Sequence, residues 1–163
     1  MRQRYIVWNG AVPTTAVQAG ITVTANATKT HIQLTAASTG QLEIVEWGVS
    51  FNGSSLAAGL QGELVATGTV AGTGQTAVTP SLYGDPNAPA SAATAGFGPT
   101  AEGTITTTRV FDSQFVQDLS GYVKQFPLGE RPIIVVSGVV RVRIASPSGG
   151  PTPTALSYIV WAE

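Results

Sequence analysis

Apolar side chains recur at every second residue in short runs along this chain. Clear examples are Ile32 with Leu34, and Val140 with Val142 and Ile144, each separated by one polar residue. A period of two places the apolar side chains on one face of an extended strand. Many short runs of this kind at regular spacing are typical of sandwiches and barrels. The sequence therefore predicts an all-β fold, an antiparallel, jelly-roll-like β-sandwich.

Ten segments are predicted to be strands, and turn residues support their ends. Asn9-Gly10 and Asn52-Gly53 each follow an apolar run with a pair that readily adopts positive φ. The sequence YIVW occurs at 5–8 and again at 158–161, which predicts that the first and last strands are neighbours with the termini close together. The predicted strands are 5–8, 21–25, 30–36, 41–51, 62–70, 104–111, 122–126, 133–136, 139–145 and 156–161.

At most one short helix is expected, over 112–121. Asp112 can cap its N-terminus, Phe115 and Leu119 lie one turn apart, and Gly121 can end it. The pattern allows no more than two helical turns.

A long Ala/Gly/Pro-rich loop, 83–103, interrupts the strand pattern. Connections of this length are uncommon in compact domains, so we expect either a mobile loop or an arm that a partner orders. Phe97, flanked by Gly96 and Gly98, is its natural anchor. That anchor would insert into a partner or fold back on its own domain.

Length and charge limit the classes of partner. The 163 residues make one domain, 1–163, and the net charge of -1 includes no basic cluster that would hold a nucleic acid. No apolar run has the length of a membrane span or of the apolar core of a secretory signal. We therefore expect neither association with a membrane nor export by the general secretory route. The chain has no cysteine, which excludes disulfides and thiolate sites.

The residues that could carry chemistry form no catalytic pattern. His31 is the only histidine and shares a strand face with Lys29 and Gln33, which predicts a surface position. The Gly-rich segment 68–76 lacks the lysine of a phosphate loop, and the acidic residues show no paired or calcium-loop spacing. We therefore expect no enzyme activity, no cofactor and no metal ion.

Three tryptophans lie inside apolar strands. Trp8, Trp47 and Trp161 are expected to pack in the core or in a subunit interface, the common fate of tryptophan in such a strand. A sugar-stacking platform is the alternative.

Two prolines bracket a short polar turn in the segment 122–147. Pro127 and Pro132 favour extended conformations in the residues before them, so 128–130 is predicted to be a corner between two β segments and a preorganised contact point. After this corner, 133–136 is predicted to be a strand buried on both faces. Alternation then places Arg141 and Arg143 on an outer face, where we expect them to be solvated, although bidentate pairing with a neighbour's carboxylates would also suit them. The partner-contact candidates are Phe97, Phe126, Leu128, Glu130, Arg131, Arg141 and Arg143.

Four stretches carry a family resemblance: VEWGVSFNGSS, GDPNAPASAATAGFGPTAEGT, YVKQFPLGERPIIVVSGVVRVRIASP and the terminal YIVWAE. Together they resemble small β-rich structural proteins of tailed bacteriophages and, by extension, capsid decoration (cement) proteins. The resemblance implies a protein made in the host cytoplasm that joins the virion on the outer face of the capsid shell, often as a trimer. It implies that bridging between major capsid protein subunits strengthens the shell, and it transfers no catalytic residue.

The composition agrees with a role in assembly. Charged residues make up 10% of the chain, against roughly 25% in an ordinary soluble domain, so much of the surface consists of small side chains. Such side chains lose little entropy when a neighbour covers them. The alternative function is a phage tail or surface carbohydrate-binding module (an adhesin) that uses an aromatic patch. A β-sandwich hydrolase is disfavoured because the chain shows no nucleophile and base pattern.

Overall fold

The computed structural model describes residues 2–53 and 59–163, and the regular structure in this part of the chain is entirely β. No helix among these residues has the length and apolar character that crossing a membrane requires. The strands are β1 (Arg4–Trp8), β2 (Ile21–Thr22), β3 (Thr28–Thr35), β4 (Leu42–Asn52), β5 (Leu60–Ala66), β6 (Thr76–Val78), β7 (Ser81–Leu82), β8 (Thr94–Phe97), β9 (Arg109–Val116), β10 (Gly121–Gln125), β11 (Ile133–Ile134), β12 (Val139–Ala145) and β13 (Thr154–Ala162).

Four antiparallel pairings organise the eight principal strands. β1 pairs with β13, β3 with β12, β4 with β10, and β5 with β9. These pairs are nested. The first strand pairs with the last, and each pair lies inside the one before it in the sequence, as in one long hairpin. Rolling this hairpin into two layers gives the strand orders β1-β13-β4-β10 in sheet A and β3-β12-β5-β9 in sheet B. This is the jelly-roll arrangement, so the predicted fold is confirmed.

The two copies of YIVW are neighbours, as predicted. Tyr5 lies opposite Trp161 and Trp8 lies opposite Tyr158 in the antiparallel pair of β1 and β13. The amide of Glu163 donates a hydrogen bond to the carbonyl of Gln3 (3.1 Å). The first and last described strands therefore end side by side.

The core lies between the two sheets. Sheet B contributes the alternating residues of β3 and β12, and sheet A contributes the inward side of β4. Trp47 and Trp161 have no exposed surface, which confirms the core interpretation for these two tryptophans. Trp8 is only partly buried and belongs to the opposite face of sheet A.

An insertion between β5 and β9, residues 67–108, wraps around one side of the sandwich. Its strands β6 and β8 extend sheet B beyond β3, and β7 extends sheet A beyond β1. The loop predicted at 83–103 thus contains one strand, β8, in which Phe97 lies opposite Ile32 and is partly buried. Phe97 thus belongs to a strand of sheet B.

The short helix predicted over 112–121 is wrong, because strand β9 occupies the first half of that segment and strand β10 begins at its last residue. The carboxylate of Asp112 caps no helix. It accepts hydrogen bonds from the indole N–H of Trp47 (3.1 Å) and the hydroxyl of Tyr122 (2.9 Å). Phe115 and Leu119, the supposed helical pair, are both exposed. Pairing with β5 and these buried polar contacts outweigh a weak local preference for helix.

The strand predicted at 133–136 is shorter and more exposed than expected. Only β11 pairs with β4, and Ile134 alone is buried, whereas Ile133, Val135 and Val136 are 40%, 56% and 45% exposed. The segment runs along the margin of sheet A, where neighbours cover one side only. The prediction of burial on both faces is therefore wrong.

Candidate functional site

The outer face of sheet A is apolar at its centre. Val45, Val160 and Ala162 form a small cluster on the side opposite the main core, and Ile6 and Tyr158 pack against it. Val160 is 1% exposed because neighbouring side chains cover it, whereas Val123, on the same face of sheet A in strand β10, is 59% exposed. A sheet face that is open to water normally carries polar side chains. This face is therefore the strongest candidate for an interaction surface.

An aromatic pair lies on the same face. Trp8 and Tyr158 are directly opposite each other on β1 and β13, and their ring centroids are 4.8 Å apart at an interplanar angle of 40°. Gly48 leaves the space that the Tyr158 ring occupies, because a Cβ at this position would lie 2.5 Å from Tyr158 Cε1. The position of the ring thus depends on glycine at 48.

The hydroxyl of Tyr158 is held by a carboxylate. It donates a hydrogen bond of 2.5 Å to Glu46 Oε1, and Gln125 Nε2 donates to the other oxygen of Glu46 at 3.4 Å. Burial raises the pKa of Tyr158, and the hydrogen bond to Glu46 and its negative charge raise this pKa further. The phenol therefore stays protonated and keeps its orientation over a wide range of pH.

A shallow pocket of about 190 Å³ adjoins this pair. Trp8, Tyr158, Leu156 and Val123 give it apolar walls, and Ser50 adds a hydroxyl. The volume is below that of a typical drug-sized site, so the pocket suits one ring or one side chain of a partner.

Arg141, which was expected on an outer face, is completely buried beneath the insertion. Its Nη1 donates to the carbonyl of Glu102 (2.7 Å) and to Glu102 Oε2 (3.0 Å), and its Nη2 donates to the carbonyl of Val70 (3.0 Å). Arg141 does project from the outer side of sheet B, but the insertion covers it. The expectation of a solvated arginine is therefore wrong, because sequence alternation does not reveal what lies over a sheet.

Further polar contacts fasten the insertion to β3. The amide of Thr30 donates to Glu102 Oε1 (2.8 Å), and its hydroxyl donates to Glu102 Oε2. The side chain of Gln33 accepts from the amide of Gly72 (2.7 Å) and donates to Gln75 Oε1 (3.0 Å). We name Arg141, Glu102, Thr30 and Gln33 the polar clamp. It joins the insertion to the jelly roll.

His31 is next to this clamp and is not a surface residue. It is the extra residue of a bulge, because Val142 lies opposite Ile32 and Arg143 lies opposite Thr30. The side chain is 1% exposed, and its Nδ1 has no hydrogen-bond partner among the described residues. Burial lowers the pKa of His31 to about 4, against a smaller opposing effect of the Glu102 charge. The imidazole is therefore neutral at pH 7.

The corner predicted at 128–130 is confirmed. The amide of Glu130 donates to the carbonyl of Pro127 (3.0 Å), and Gly129 adopts a φ of 94°. Leu128 is 83% exposed and Glu130 is also exposed. Both flanking strands, β10 and β11, pair with β4, so the corner is an excursion from one margin of sheet A.

The remaining contact candidates are engaged within the chain. Phe126 is buried, and Arg131 forms an ion pair with Glu43 (2.9 Å). Arg143 forms an ion pair with Glu63 (2.7 Å) in which both side chains are mostly buried. Of the seven candidates, Leu128 and Glu130 are thus the most accessible to a partner.

Sequence reasoning missed the Trp8–Tyr158 pair, although the YIVW repeat carried the signal. No group of three or more histidine, aspartate or glutamate side chains within residues 2–53 and 59–163 is placed to hold a metal ion. No protein-family model matches this sequence, and no curated protein is detectably similar to it.

Proposed function

We propose that this protein is a structural component of a tailed-bacteriophage virion, a capsid decoration protein that binds the outer surface of the major capsid shell. The observation that carries the proposal is the jelly roll with an apolar outer face on sheet A, where Val123 is 59% exposed beside the partly buried Trp8. Jelly rolls serve in viral capsid and lectin domains, and an exposed apolar patch favours association with another protein. Fold alone does not assign a function, so the proposal rests on the fold together with this face.

The proposed mechanism is additive. Each copy contributes modest contacts through the outer face of sheet A and the corner around Leu128, and a symmetric shell multiplies them. Few long charged side chains need to be ordered at such a contact, because charged residues are only 10% of the sequence. The summed contacts would raise the free energy required to separate major capsid subunits.

The test begins with purified virions of the phage that encodes this chain. We expect mass spectrometry to find the protein in stoichiometric amounts and cryo-electron microscopy to place it on the outer shell. Particles that lack the protein should release their DNA at lower temperature. Adding the purified protein should restore their heat resistance. Virions without the protein, or equal heat resistance with and without it, would refute the proposal.

A matched pair of variants locates the docking face. Ile6→Lys puts a charge beside the apolar cluster on sheet A, whereas Val17→Lys changes a residue that is 93% exposed in the loop after β1. We expect the first variant to lose binding to shells and the second to retain it. Equal binding by both variants would exclude this face as the docking surface.

A second candidate function is supported by the Trp8–Tyr158 pair and its adjoining pocket. A half-exposed aromatic ring beside a carboxylate and a hydroxyl is suited to stack on a sugar ring and bind its hydroxyl groups. Binding on a glycan array that disappears in Trp8→Ala but persists in Phe115→Ala, without affinity for shells, would favour this module over the decoration protein.

A further inference from the structure

The exposed apolar side chains are concentrated on one margin of the sandwich. Eight of the thirteen large apolar side chains that are exposed in the described part of the chain belong to residues 109–136. These residues form β9, β10, β11 and their connections, which lie on the side that the insertion does not cover. The eight are Val110, Phe115, Leu119, Val123, Leu128, Ile133, Val135 and Val136.

Strand β9 is a long, unprotected edge on this margin. It spans eight residues and pairs with β5 alone among the described strands. The other terminal strands are shorter: β6 has three residues, β7 has two, and β10 has five and carries Lys124. Natural proteins usually protect sheet edges with short strands, charged residues (lysine above all), proline or bulges. β9 has neither lysine nor proline, and its one bulge, at Phe111, interrupts only the first part of the edge. From Asp112 to Val116 the outer edge has no strand partner among the described residues and is available to another strand.

The side chains of β9 fit a two-fold pairing with themselves. Val110 lies opposite Val65, and Phe115 lies opposite Gln61. Val65 and Gln61 are four residues apart and share a face of β5, so Val110 and Phe115 also share a face. They do so although they are five residues apart, because Phe111 is the extra residue of a bulge.

We propose that two copies of this chain associate through antiparallel pairing of their β9 strands. Phe111 is left out of the register because it is the bulge residue. The two-fold axis then passes through Ser113, and Val110 of each copy lies opposite Phe115 of the other. Phe115 is 81% exposed and Val110 is 51% exposed in the single chain, so this register covers two apolar side chains on each copy. The two sheets B become one continuous sheet, and neither copy retains a long free edge.

This pairing is isologous, because the same surface is used by both copies, and it closes as a dimer. It therefore departs from the trimer that the resemblance implies. The inference does not depend on the proposed virion role, since it follows from the edge strand itself.

The first experiment is sedimentation equilibrium of the purified chain between about 1 and 100 µM. We expect a dimer for the natural sequence. Phe115→Lys places two charges at the proposed interface and should raise the dimer dissociation constant at least about tenfold. Val17→Lys adds the same charge at a loop residue and should leave association unchanged. Thermal unfolding and near-UV circular dichroism of the Phe115→Lys monomer establish that it remains folded.

The second experiment uses the absence of cysteine from the sequence. Ser113→Cys introduces one exposed thiol near the proposed axis, where facing Cα atoms of paired strands lie within disulfide range. Mild oxidation should give a covalent dimer. Ser81→Cys, on the short exposed strand β7, should give none.

Three results would overturn the inference. These are a monomer throughout the concentration range, an oligomer that Phe115→Lys leaves intact, and equal cross-linking by the two cysteine variants. A monomer that still binds shells would refute the edge pairing and leave the decoration role standing. A dimer that fails to bind shells would support the edge pairing and refute the decoration role.

Discussion

Arg141 and Glu102 form an ion pair of 3.0 Å between the central strand β12 and the insertion, and the arginine side chain has no exposed surface. The two partners differ in their access to water, because 25% of the Glu102 side chain is exposed. Loss of one partner therefore has a different consequence from loss of the other. Removing the glutamate leaves a charge that cannot be hydrated, whereas removing the arginine does not.

This asymmetry predicts the order of two substitutions. Glu102→Ala should lower the free energy of unfolding by about 3 to 5 kcal/mol, because Arg141 stays buried without its carboxylate. Arg141→Met should cost less, because Glu102 can turn to solvent. Urea denaturation measures both. Arg2→Met is the control and should change stability by less than about 1 kcal/mol, because Arg2 is largely exposed and its partner Glu43 keeps the ion pair with Arg131. The reverse order would contradict this account of the clamp.

Buried His31 predicts a loss of stability in weak acid. Its folded pKa of about 4 lies below the ordinary value of 6.5, so the unfolded chain binds more protons between these values. Stability should therefore fall as the pH drops from about 6.5 towards about 4, by about 3 kcal/mol from this residue alone. Urea denaturation at intervals across this range measures the slope. His31→Gln removes the titrating group and should flatten the curve, and an unchanged slope would contradict the assignment.

Gly48 predicts a steric effect on the aromatic pair. Gly48→Ala places a Cβ where the Tyr158 ring lies, so we expect the ring to shift and stability to fall by about 1 to 3 kcal/mol. Near-UV circular dichroism should report the altered Trp8 environment. In Tyr158→Ala, adding Gly48→Ala should cost far less, which a double-mutant cycle measures. Gly84→Ala, where a Cβ meets nothing within 4 Å, is the matched control.

The side chain of Asn9 continues the pairing with β13 beyond the end of β1, so its removal should lower the stability of the protein. Its Nδ2 donates to the carbonyl of Ala155 (2.8 Å), and its Oδ1 accepts from the amide of Ser157 (3.0 Å). Asn9→Ala leaves both backbone groups of β13 without these partners, so we expect a loss of about 2 to 4 kcal/mol in chemical denaturation. Asn87→Ala, in the exposed part of the insertion, should stay within about 0.5 kcal/mol of the natural protein. A neutral Asn9→Ala would show that water replaces the amide.

The alternating pattern was sufficient to predict the sandwich and most strands, because burial of one face follows directly from a period of two. The segment 139–145 was predicted with the bounds that β12 has. Asn9-Gly10 shows what local signals leave out. The pair was expected to form a turn or loop entry, and β1 does end just before it, but neither residue adopts positive φ, and the asparagine bonds to a distant strand.

The candidate site was harder to predict, because it depends on which segments cover which face. Alternation correctly put Arg141 on the side of sheet B away from the core, but the insertion that buries it approaches from elsewhere in the sequence. The aromatic pair could have been predicted from the sequence. Two antiparallel copies of YIVW place tyrosine opposite tryptophan at both ends, with Tyr5–Trp161 on one face and Trp8–Tyr158 on the other.

The nested pairing of the strands also governs how the chain reaches its native state. Even the innermost pair, β5 with β9, is separated by the whole insertion, so no short hairpin is available to nucleate the ribbon. Topologies dominated by such distant contacts fold over about milliseconds to seconds. During synthesis β1 emerges from the ribosome first among these strands, and its partner β13 emerges last. Sheet A therefore cannot close until translation has passed both.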